Sequence, residues 1–508
     1  MSRRLVGSAA ENRPLVTITA IFLGAFLTSF HARLFSAGLT DLRGQLGLDI
    51  AEGAWLSTAL NASQLLTAPF IPWLATAIGP TRTIVLPSIL LGISSLLIPF
   101  ATQFSTLLIL HIVSGLCLGV YLSLTISLSL KSLRPQYWMI VFAIYGLRLS
   151  FGLNAGFNVS GILIEDDLWE WIYWTTAATA PVVAIMIWKS VPITPVNWDD
   201  LRSGDWPGMT AFCLGLALLY VGIDNGERLG WTDSGLVAGC LVGSAGLLSA
   251  WLANLKIRAK PFGDPVALDT YNGRIIMVIG ALFGVLMLPD VMLVPGFLAQ
   301  MGGLKPIQVG TSILMVVGIH ILAIPPSVYL ARRLDTRIIL TMGLIAMAVS
   351  AWLGTGIDNQ WRADQFIGVL LLSGVGQCFT FLGIIVISVI NTNPKYAVSM
   401  LVYIPVIRIL LPMVGGAIMG VWLRVGAAFH GSALSDRVQS GEPIVVDRMA
   451  NGSSEIAQIV AREAQVLAYI DAFHIIFWAA IVTLVLAMTL RAPSPNPVAP
   501  LFLPKPAQ

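Results

Sequence analysis

The chain has 508 residues, of which 56% are hydrophobic and only 11% are charged, and its formal net charge is +3. Soluble domains carry about 25% charged residues, so this composition excludes a soluble globular protein and predicts a polytopic protein of the lipid bilayer. The small net charge, without a basic patch interleaved with aromatic residues, excludes nucleic acid as a partner. The four cysteines lie singly in apolar segments without metal-ligand spacing, so we expect neither a metal site nor a cofactor.

Apolar segments long enough to cross a bilayer, which takes about 20 helical residues, recur along the whole chain. We count fourteen, near 15–37, 53–77, 84–102, 107–129, 137–161, 170–191, 208–224, 235–255, 273–298, 308–330, 338–357, 365–389, 398–424 and 470–491. They predict an all-α integral membrane fold with six-helix bundles at 15–191 and 270–491, separated by two inserted linker helices at 205–256. Such duplication is typical of transporters whose halves rock about a site near the middle of the membrane.

Loop charges predict how these spans are oriented. The basic residues of the predicted cytoplasmic loops are Arg82, Lys131, Arg134, Arg202, Lys256, Arg258, Lys260, Arg332, Arg333, Arg337 and Lys395. Loops on the other side carry basic residues only singly, so the positive-inside rule places both chain ends in the cytoplasm. Residues 1–14 and 492–508 are then cytoplasmic tails. The long segment 425–469 is a periplasmic loop that closes with an amphipathic helix starting at Ser453.

The segment Tyr145–Gly161, YGLRLSFGLNAGFNVSG, mixes small and polar residues inside the fifth span. Gly152 and Gly156 lie four residues apart on one helix face, a spacing that lets two membrane helices approach closely. Together with Gly161 they predict a packed hinge. The alternative is that the glycines only fill space between helices.

Polar residues of the same segment predict a face directed toward a cavity. Arg148 lies one turn before the first of these glycines, and Asn154 and Asn158 form a second polar stripe. An arginine inside a membrane helix is costly unless it faces water or a partner, so such residues are functional candidates. The alternative for Arg148 is a purely structural pairing.

A series of motifs, in order along the chain, resembles the Major Facilitator Superfamily and, more closely, its fourteen-span drug:proton antiporter family typified by EmrB. The motifs are GAWLSTALNASQLLTAPFIPWLATAIGPTR (53–82), LHIVSGLCLG (110–119), the glycine-rich segment above, WEWIYW (169–174), IDNGERLGW (223–231), VPGFLAQMGGLKPIQVG (294–310), LARRLDTR (330–337) and LAYIDAFHIIF (467–477). The resemblance implies proton-driven export of amphipathic organic compounds or drugs across the inner membrane of a Gram-negative cell. It also implies two possible partners, a periplasmic membrane-fusion (HlyD-like) adaptor and an outer-membrane channel.

The chain departs from the family pattern at several positions. The family usually has an Asp in the first span and an Arg in the fourth, where this chain has His31 and His111. An acidic residue usual after the second span is replaced by Thr76, and the usual Gly-Pro of the fifth span is Gly156–Phe157. The coupling residues of the family therefore cannot be transferred one by one to this chain.

Histidines take the places of those coupling residues. Histidine titrates near neutral pH and can accept and release a proton. We expect His31 to carry the coupling proton and His111 to contribute less, in a basic central cavity that includes Arg33 and Arg148. The alternative is that each histidine is a neutral, hydrogen-bonded group of the core.

The second half supplies further candidates. Asp290 is its most central carboxylate and a candidate for proton coupling, unless its span begins later and leaves it at the outer water interface. Gln377 and Arg408 are candidates for the cavity, Arg408 being matched by an Arg in the family, with simple packing as the alternative for Gln377. Asp335 and Arg337 form the predicted cytoplasmic gate.

These features favour a transporter of small molecules over an enzyme, since we find no nucleotide-binding loop and no nucleophile elbow. Proton-driven export is the first hypothesis. The altered coupling positions and basic cavity leave a second, an uptake carrier or uniporter for an anionic metabolite. A third is a sensor or assembly partner that transports nothing.

Reporter fusions test the predicted topology. A reporter fused after Ser435 should give an outside signal and one fused at Gln508 an inside signal, because the loop charges put both termini in the cytoplasm. Alkaline phosphatase and green fluorescent protein, which are active on opposite sides of the membrane, provide the measurement. An inside signal after Ser435 would overturn the arrangement.

Overall fold

The computed structural model describes residues 14–134, 137–392, 396–439 and 453–492, and within these ranges the secondary structure is helical, without a strand. The N-terminal half contains α1 (Pro14–Leu46), α2 (Ile50–Thr67), α3 (Ile71–Ile78), α4 (Pro80–Leu97), α5 (Phe104–Ser132), α6 (Trp138–Glu165) and α7 (Trp171–Ser190). The inserted region contains α8 (Trp198–Ser203), α9 (Trp206–Leu229) and α10 (Gly235–Ile257). The C-terminal half contains α11 (Tyr271–Leu286), α12 (Val294–Gln300), α13 (Pro306–Ala331), α14 (Thr336–Gly354), α15 (Ile367–Asn391), α16 (Ala397–Pro405), α17 (Leu411–Gln439) and α18 (Ser453–Met488). The predicted all-α class is confirmed.

Two crossings of the C-terminal half are interrupted by π-helical turns, Pro289–Leu293 between α11 and α12 and Val406–Leu410 between α16 and α17. Pro289 opens the first turn and Pro405 precedes the second. Because proline has no N–H to donate, it disturbs the regular hydrogen bonding of a helix. A π turn accommodates one extra residue and so changes the direction of the side chains that follow, and such turns are frequent at functional sites.

Thirteen helical segments of the described chain are long and apolar enough to cross a membrane. They match the predicted spans except the second, 53–77, which falls on α2 and α3. Pro69 lies in the break between these two helices, and α2 carries Asn61 and Gln64 among its apolar residues. The prediction of fourteen crossings is therefore not confirmed by length and composition.

The boundaries of the long predicted loop differ from the observed ones. Helix α17 continues to Gln439, and α18 joins the predicted amphipathic helix and the last span into one helix of 36 residues that begins at Ser453. The segment 425–469 is thus mostly helical wherever the structure describes it. The predicted tails up to residue 13 and from residue 493, together with Lys395 and residues 440–452, lie outside the described residues.

Each half packs around its own apolar core, and α6 joins both. In the N-terminal half α1 lies against α5, α6 and α7, with Leu34 and Tyr173 fully buried. In the C-terminal half α14 packs against α15 and α18, and Phe297 is fully buried. Phe142 and Tyr145 of α6 belong to the core of the C-terminal half. Contact between the halves therefore runs largely through α6.

The predicted hinge glycines of α6 serve two different interfaces. Gly156 faces α1, where an added Cβ would lie 2.9 Å from the Cβ of Arg33, and Gly152 likewise faces Ser29 of α1. Gly161 faces the other half, where its Cβ would lie 2.7 Å from the Cα of Ile307 in α13. The first two glycines pack helices within one bundle, and of these three glycines Gly161 is the one that allows close approach between the bundles.

The inserted helix α9 touches both halves. Thr58 of α2 donates a hydrogen bond of 2.5 Å to Asp224, and Asn225 donates one of 3.2 Å to the Thr58 hydroxyl. On its other side Glu227 forms an ion pair of 2.5 Å with Arg424 of α17. The IDNGERLGW motif thus supplies polar side chains that bind one helix of each bundle.

Asp205, just before α9, holds the far end of the inserted region together. Its carboxylate accepts hydrogen bonds from the Asn254 side chain at 2.6 Å and from the Phe262 backbone N–H at 2.9 Å, while only 4% of the residue is exposed. The indole N–H of Trp251 donates to the Phe262 carbonyl at 3.0 Å. The chain that leaves α10 is therefore fastened back onto α9.

The contact at Gly161 gives a test of the seam between the bundles. In Gly161→Ala the new methyl group must displace the Ile307 backbone, and overpacking of this kind costs about 1–3 kcal/mol. We expect faster amide hydrogen exchange at the start of α13, around residues 306–312, while the chain still inserts.

Gly416→Ala is the matched control, since a Cβ at Gly416 would meet nothing within 4 Å. Hydrogen-exchange mass spectrometry of the purified variants provides the measurement. Equal exchange in both variants would show that the close approach at Gly161 does not hold the seam.

Candidate functional site

A cavity of about 490 Å³ lies between the two halves. Helices α5 and α6 form one wall, and α11, α15, α16 and the two π turns contribute to the opposite wall. Its surface is overwhelmingly apolar, with Leu149, Phe283 and Phe381 among the lining residues. The charged and hydroxyl-bearing lining residues are Ser127, Lys131, Tyr145, Ser388, Thr392 and Arg408. No carboxylate is among the described residues that line the cavity.

Arg408 reaches the cavity from the second π turn. It donates a hydrogen bond of 2.6 Å from Nη1 to the hydroxyl of Tyr145, which belongs to the opposite half. Its guanidinium group lies 5.4 Å from the centre of the Tyr145 ring, and its Nε has no hydrogen-bond partner among the described residues. Arg408, a candidate for the cavity from the sequence, is among the residues that line this one.

Arg148 packs against the ring of the same tyrosine. Its guanidinium group is 4.4 Å from the centre of the Tyr145 ring, it is fully buried, and Nη1 donates to the Ala25 carbonyl at 3.2 Å. Its Nε and Nη2 find no partner within the described chain. Arg148 is not itself a lining residue, so the basic centre consists of Arg408 at the cavity wall and Arg148 behind Tyr145.

Asp290 lies in the first π turn and is fully buried, so it is not at a water interface. Ser373 donates a hydrogen bond of 2.9 Å to one carboxylate oxygen, and Gln377 donates one of 2.9 Å to the other. The carboxylate also interacts with Asn154 of α6 and with the charge of Arg33 of α1. Gln377 therefore holds Asp290 instead of lining the cavity.

Arg33 links the two halves beside this carboxylate. It donates to the Leu153 carbonyl at 2.9 Å within its own half and to the Val291 carbonyl, in the π turn of the other half, at 3.1 Å. Its guanidinium group also lies 4.7 Å from the centre of the Phe157 ring. The sequence indicated Arg33 and Asp290 separately, but their meeting across the bundles was not predicted.

Asn158 extends the same seam. Its side chain donates a hydrogen bond of 2.9 Å to the Thr311 hydroxyl of α13, and Gly310 packs directly on the Asn158 backbone. Further along, Lys305 lies 3.6 Å from Glu165 in an exposed ion pair. This seam, from Arg33 and Asp290 to Lys305 and Glu165, joins α1 and α6 to the first π turn and α13.

His31 and His111 lie together inside the N-terminal bundle and do not line the central cavity. One ring nitrogen of His31 lies 2.8 Å from the Thr176 hydroxyl, and Nδ1 of His111 lies 2.8 Å from the Leu107 carbonyl. The Tyr173 hydroxyl is 3.3 Å from Nε2 of His111. The expectation that the histidines and arginines share one basic cavity is thus not met, because the histidines face α7 and the interior of their own bundle.

A third buried histidine was not singled out from the sequence. His320 in α13 is 1% exposed, and neither ring nitrogen has a hydrogen-bond partner among the described residues. Its position in the middle of an apolar span was the available signal, because polar groups at that depth are costly.

Asp335 and Arg337 form a tight pair, with 2.6 Å between Oδ2 and Nη2, at the start of α14. Arg337 also donates to the Leu490 carbonyl at 3.0 Å, so the pair connects α14 with the end of α18. Partial burial acts to raise the pKa of Asp335, but the hydrogen bonds from Arg337 outweigh it and hold that pKa below its usual value. These contacts stay within the C-terminal half.

No group of three or more His, Cys, Asp or Glu side chains that could hold a metal ion occurs in the part of the chain that the structure describes. The four cysteines are free thiols, three of them buried. The arrangement is that of an apolar binding cavity with a basic centre and a separate buried carboxylate at its seam.

Several known proteins resemble this chain in sequence or in structure. EmrB of Haemophilus influenzae, a multidrug export protein, is 22% identical over 370 residues, which cover 71% of this chain and 70% of EmrB. The fatty acid resistance protein FarB of Neisseria gonorrhoeae is 20% identical over 416 residues, 80% of each chain. The crystal structure of the human organic anion transporter MFSD10 superposes with a TM-score of 0.56 at 13% identity, covering 92% of this chain and 99% of that one.

These relatives confirm the resemblance to EmrB-type proteins, and the solved structure confirms the transporter fold. The sequence model of the Major Facilitator Superfamily matches residues 21–387, which is most of the chain. The protein is therefore a member of the Major Facilitator Superfamily.

Proposed function

We propose that the protein exports amphipathic organic compounds across the inner membrane in exchange for protons. The observation that carries the proposal is an apolar cavity between the two bundles, with a π turn in its wall that contains the buried carboxylate of Asp290, held by Ser373 and Gln377. Apolar walls suit the body of an amphipathic compound, and a few fixed polar groups suit its head. The names of the relatives, multidrug export and fatty acid resistance, support export of such compounds.

In this proposal the chain crosses the membrane fourteen times, with α2 and α3 together making the second crossing and both termini in the cytoplasm. Lys131, predicted to lie at the cytoplasmic surface, lines the cavity. The seam around Gly161 and Asn158 then closes the opposite, periplasmic end. The structure would represent the state that receives its substrate from the cytoplasmic side.

Asp290 is the proposed carrier of the coupling proton. When ionised it attracts Arg33 of the opposite half, which favours the closed outer seam. Protonation of Asp290 removes that attraction and leaves Arg33 with its hydrogen bonds to the Leu153 and Val291 carbonyls. Binding a proton at Asp290 would therefore favour separation of the halves at the outer seam. A proton that moves inward down 100 mV contributes about 2.3 kcal/mol.

His31 remains a second candidate, with His111 beside it, because a histidine buried in a bundle can also gain and lose a proton. Its contacts lie within one half, so its protonation would have to act through α7 and not directly on the seam. The pair Asp335 and Arg337 is proposed as a cytoplasmic gate that steadies the end of α18 as the halves move.

An uptake carrier or uniporter for an anionic metabolite is the second candidate function, favoured by the two arginines on Tyr145. The direction of net flux separates it from export. A periplasmic adaptor of the membrane-fusion class and an outer-membrane channel are proposed partners, on the resemblance to EmrB-type proteins alone.

Replacement of the buried carboxylate tests the coupling. Asp290→Asn keeps the size of the side chain but cannot release a proton, and it replaces one of the two acceptor oxygens by an NH2 donor. In proteoliposomes we expect transport of dansylaminoundecanoate driven by a pH gradient to be abolished, while exchange without a gradient is retained.

Asp199→Asn is the control, because Asp199 is an exposed carboxylate of the connector. A His31→Gln variant is measured in parallel. Full gradient-driven transport in Asp290→Asn together with its loss in His31→Gln would move the proton to the histidine site.

A further inference from the structure

The basic centre at Tyr145 is not used by the proton mechanism above. We infer that the transported compound is an amphipathic anion whose acidic head binds Arg408 in the central cavity. The inference rests on the proposed function and specifies the substrate class of the same cavity.

The charges around the cavity are of one sign. Arg408 and Lys131 both line it, and no carboxylate does so among the described lining residues. Neither residue belongs to any ion pair within the described chain. Among the described residues, the Arg408 side chain hydrogen-bonds to a neutral hydroxyl, that of Tyr145. No carboxylate of the described chain therefore pairs with this positive charge, which lies in the cavity wall where a ligand can reach it.

Arg148 adds a second positive charge close to that of Arg408. It lies on the same Tyr145 ring as Arg408, at 4.4 Å against 5.4 Å, and the two guanidinium groups repel each other. Two buried like charges in a medium of low dielectric constant are expensive, since desolvation and mutual repulsion add. An anion at Arg408 would offset both terms at once, so this site favours negative charge.

The apolar walls of the cavity indicate what the body of the compound is made of. Its volume of about 490 Å³ lies within the range of about 300–1,000 Å³ that holds drug-sized molecules. Leu149, Phe283 and Phe381 supply aliphatic and aromatic walls. A hydrocarbon chain or ring system fits these walls, whereas a small hydrophilic anion would leave them uncovered.

The nearest alternative, a cationic compound, is opposed by the same geometry. Asp290 is the carboxylate in the adjoining π turn, but it is fully buried and already held by Ser373, Gln377 and the charge of Arg33. A cation in the cavity would lie near the positive charge of Arg408, with no carboxylate among the described lining residues to attract it. Repulsion by Arg408 therefore excludes cations more strongly than neutral compounds.

Binding to the purified full-length protein in detergent separates these cases. Three fluorescent probes share one apolar body and differ in charge: dansylaminoundecanoate, its methyl ester and the corresponding trimethylammonium compound. We expect the wild-type protein to bind the anion at least about tenfold more tightly than the ester, as a hydrogen bond to a charged group implies. The trimethylammonium probe should bind most weakly.

Substitutions locate the head group. Arg408→Gln should remove the preference for the anion, weakening its binding about tenfold while the ester is unaffected. Arg408→Lys keeps the charge and should retain most of the preference. Arg424→Gln, which removes a cation from the same helical crossing but outside the cavity, should change none of the three affinities.

Several outcomes would overturn the inference. If the wild-type protein bound the acid and the ester with equal affinity, the inference would be wrong. This result needs no variant, so it stands even if Arg408→Gln fails to fold. An unchanged anion preference in Arg408→Gln would also overturn the inference. Flux of the three probes in proteoliposomes distinguishes the two proposals: anion binding at Arg408 without any flux would refute only transport. Export of the trimethylammonium probe that is indifferent to Arg408 would refute only the anionic substrate class.

Discussion

Arg33 joins the two bundles at the seam, because it donates a hydrogen bond of 3.1 Å to the Val291 carbonyl in the π turn of the other half. Its charge also attracts the buried carboxylate of Asp290 in that turn, and a charge of either sign is costly alone in a membrane, so the two groups favour the arrangement in which the halves touch. The surrounding seam adds shape to this attraction. Gly161 and Gly310 remove side chains where α6 and α13 approach, and Asn158 bonds to Thr311.

The second constraint is the positive charge of the cavity wall, which no carboxylate among the described lining residues compensates. Tyr145 accepts a hydrogen bond from Arg408 and carries Arg148 against its ring, which partly satisfies both groups with a neutral side chain. An aromatic ring attracts a cation by about 0.5–2 kcal/mol, less than a buried carboxylate would. The centre is therefore held in place and still retains its attraction for an anion. It is separate from the Asp290 site, so a proton and an anionic compound could be bound by different groups.

The region between the two halves adds a further connection between them. Helix α9 bonds to Thr58 of α2 in one half and pairs through Glu227 with Arg424 of α17 in the other. The first contact is partly buried and the second is exposed, so the second is the weaker one in water. If the halves rock, α9 will stay with α2 more readily than with α17. The inserted pair is accordingly best regarded as an extension of the N-terminal bundle.

By itself the sequence determined the membrane class and the all-helical organisation, because apolar length is a local property of the chain. It also indicated Arg33, Asp290 and Arg408 as candidates, because a charge inside an apolar segment is equally local. It did not determine which partner each polar residue meets. Helical periodicity shows which residues share a face of one helix, but not which neighbouring helix that face contacts. The sequence therefore could not show that His31 contacts Thr176 of α7 and does not face the cavity. Asp290 and Arg408 both lie in π turns, where an extra residue shifts the phase of that periodicity. Only the tertiary structure, by setting those turns against α1 and α6, decided that Asp290 faces Arg33 and that Arg408 faces Tyr145.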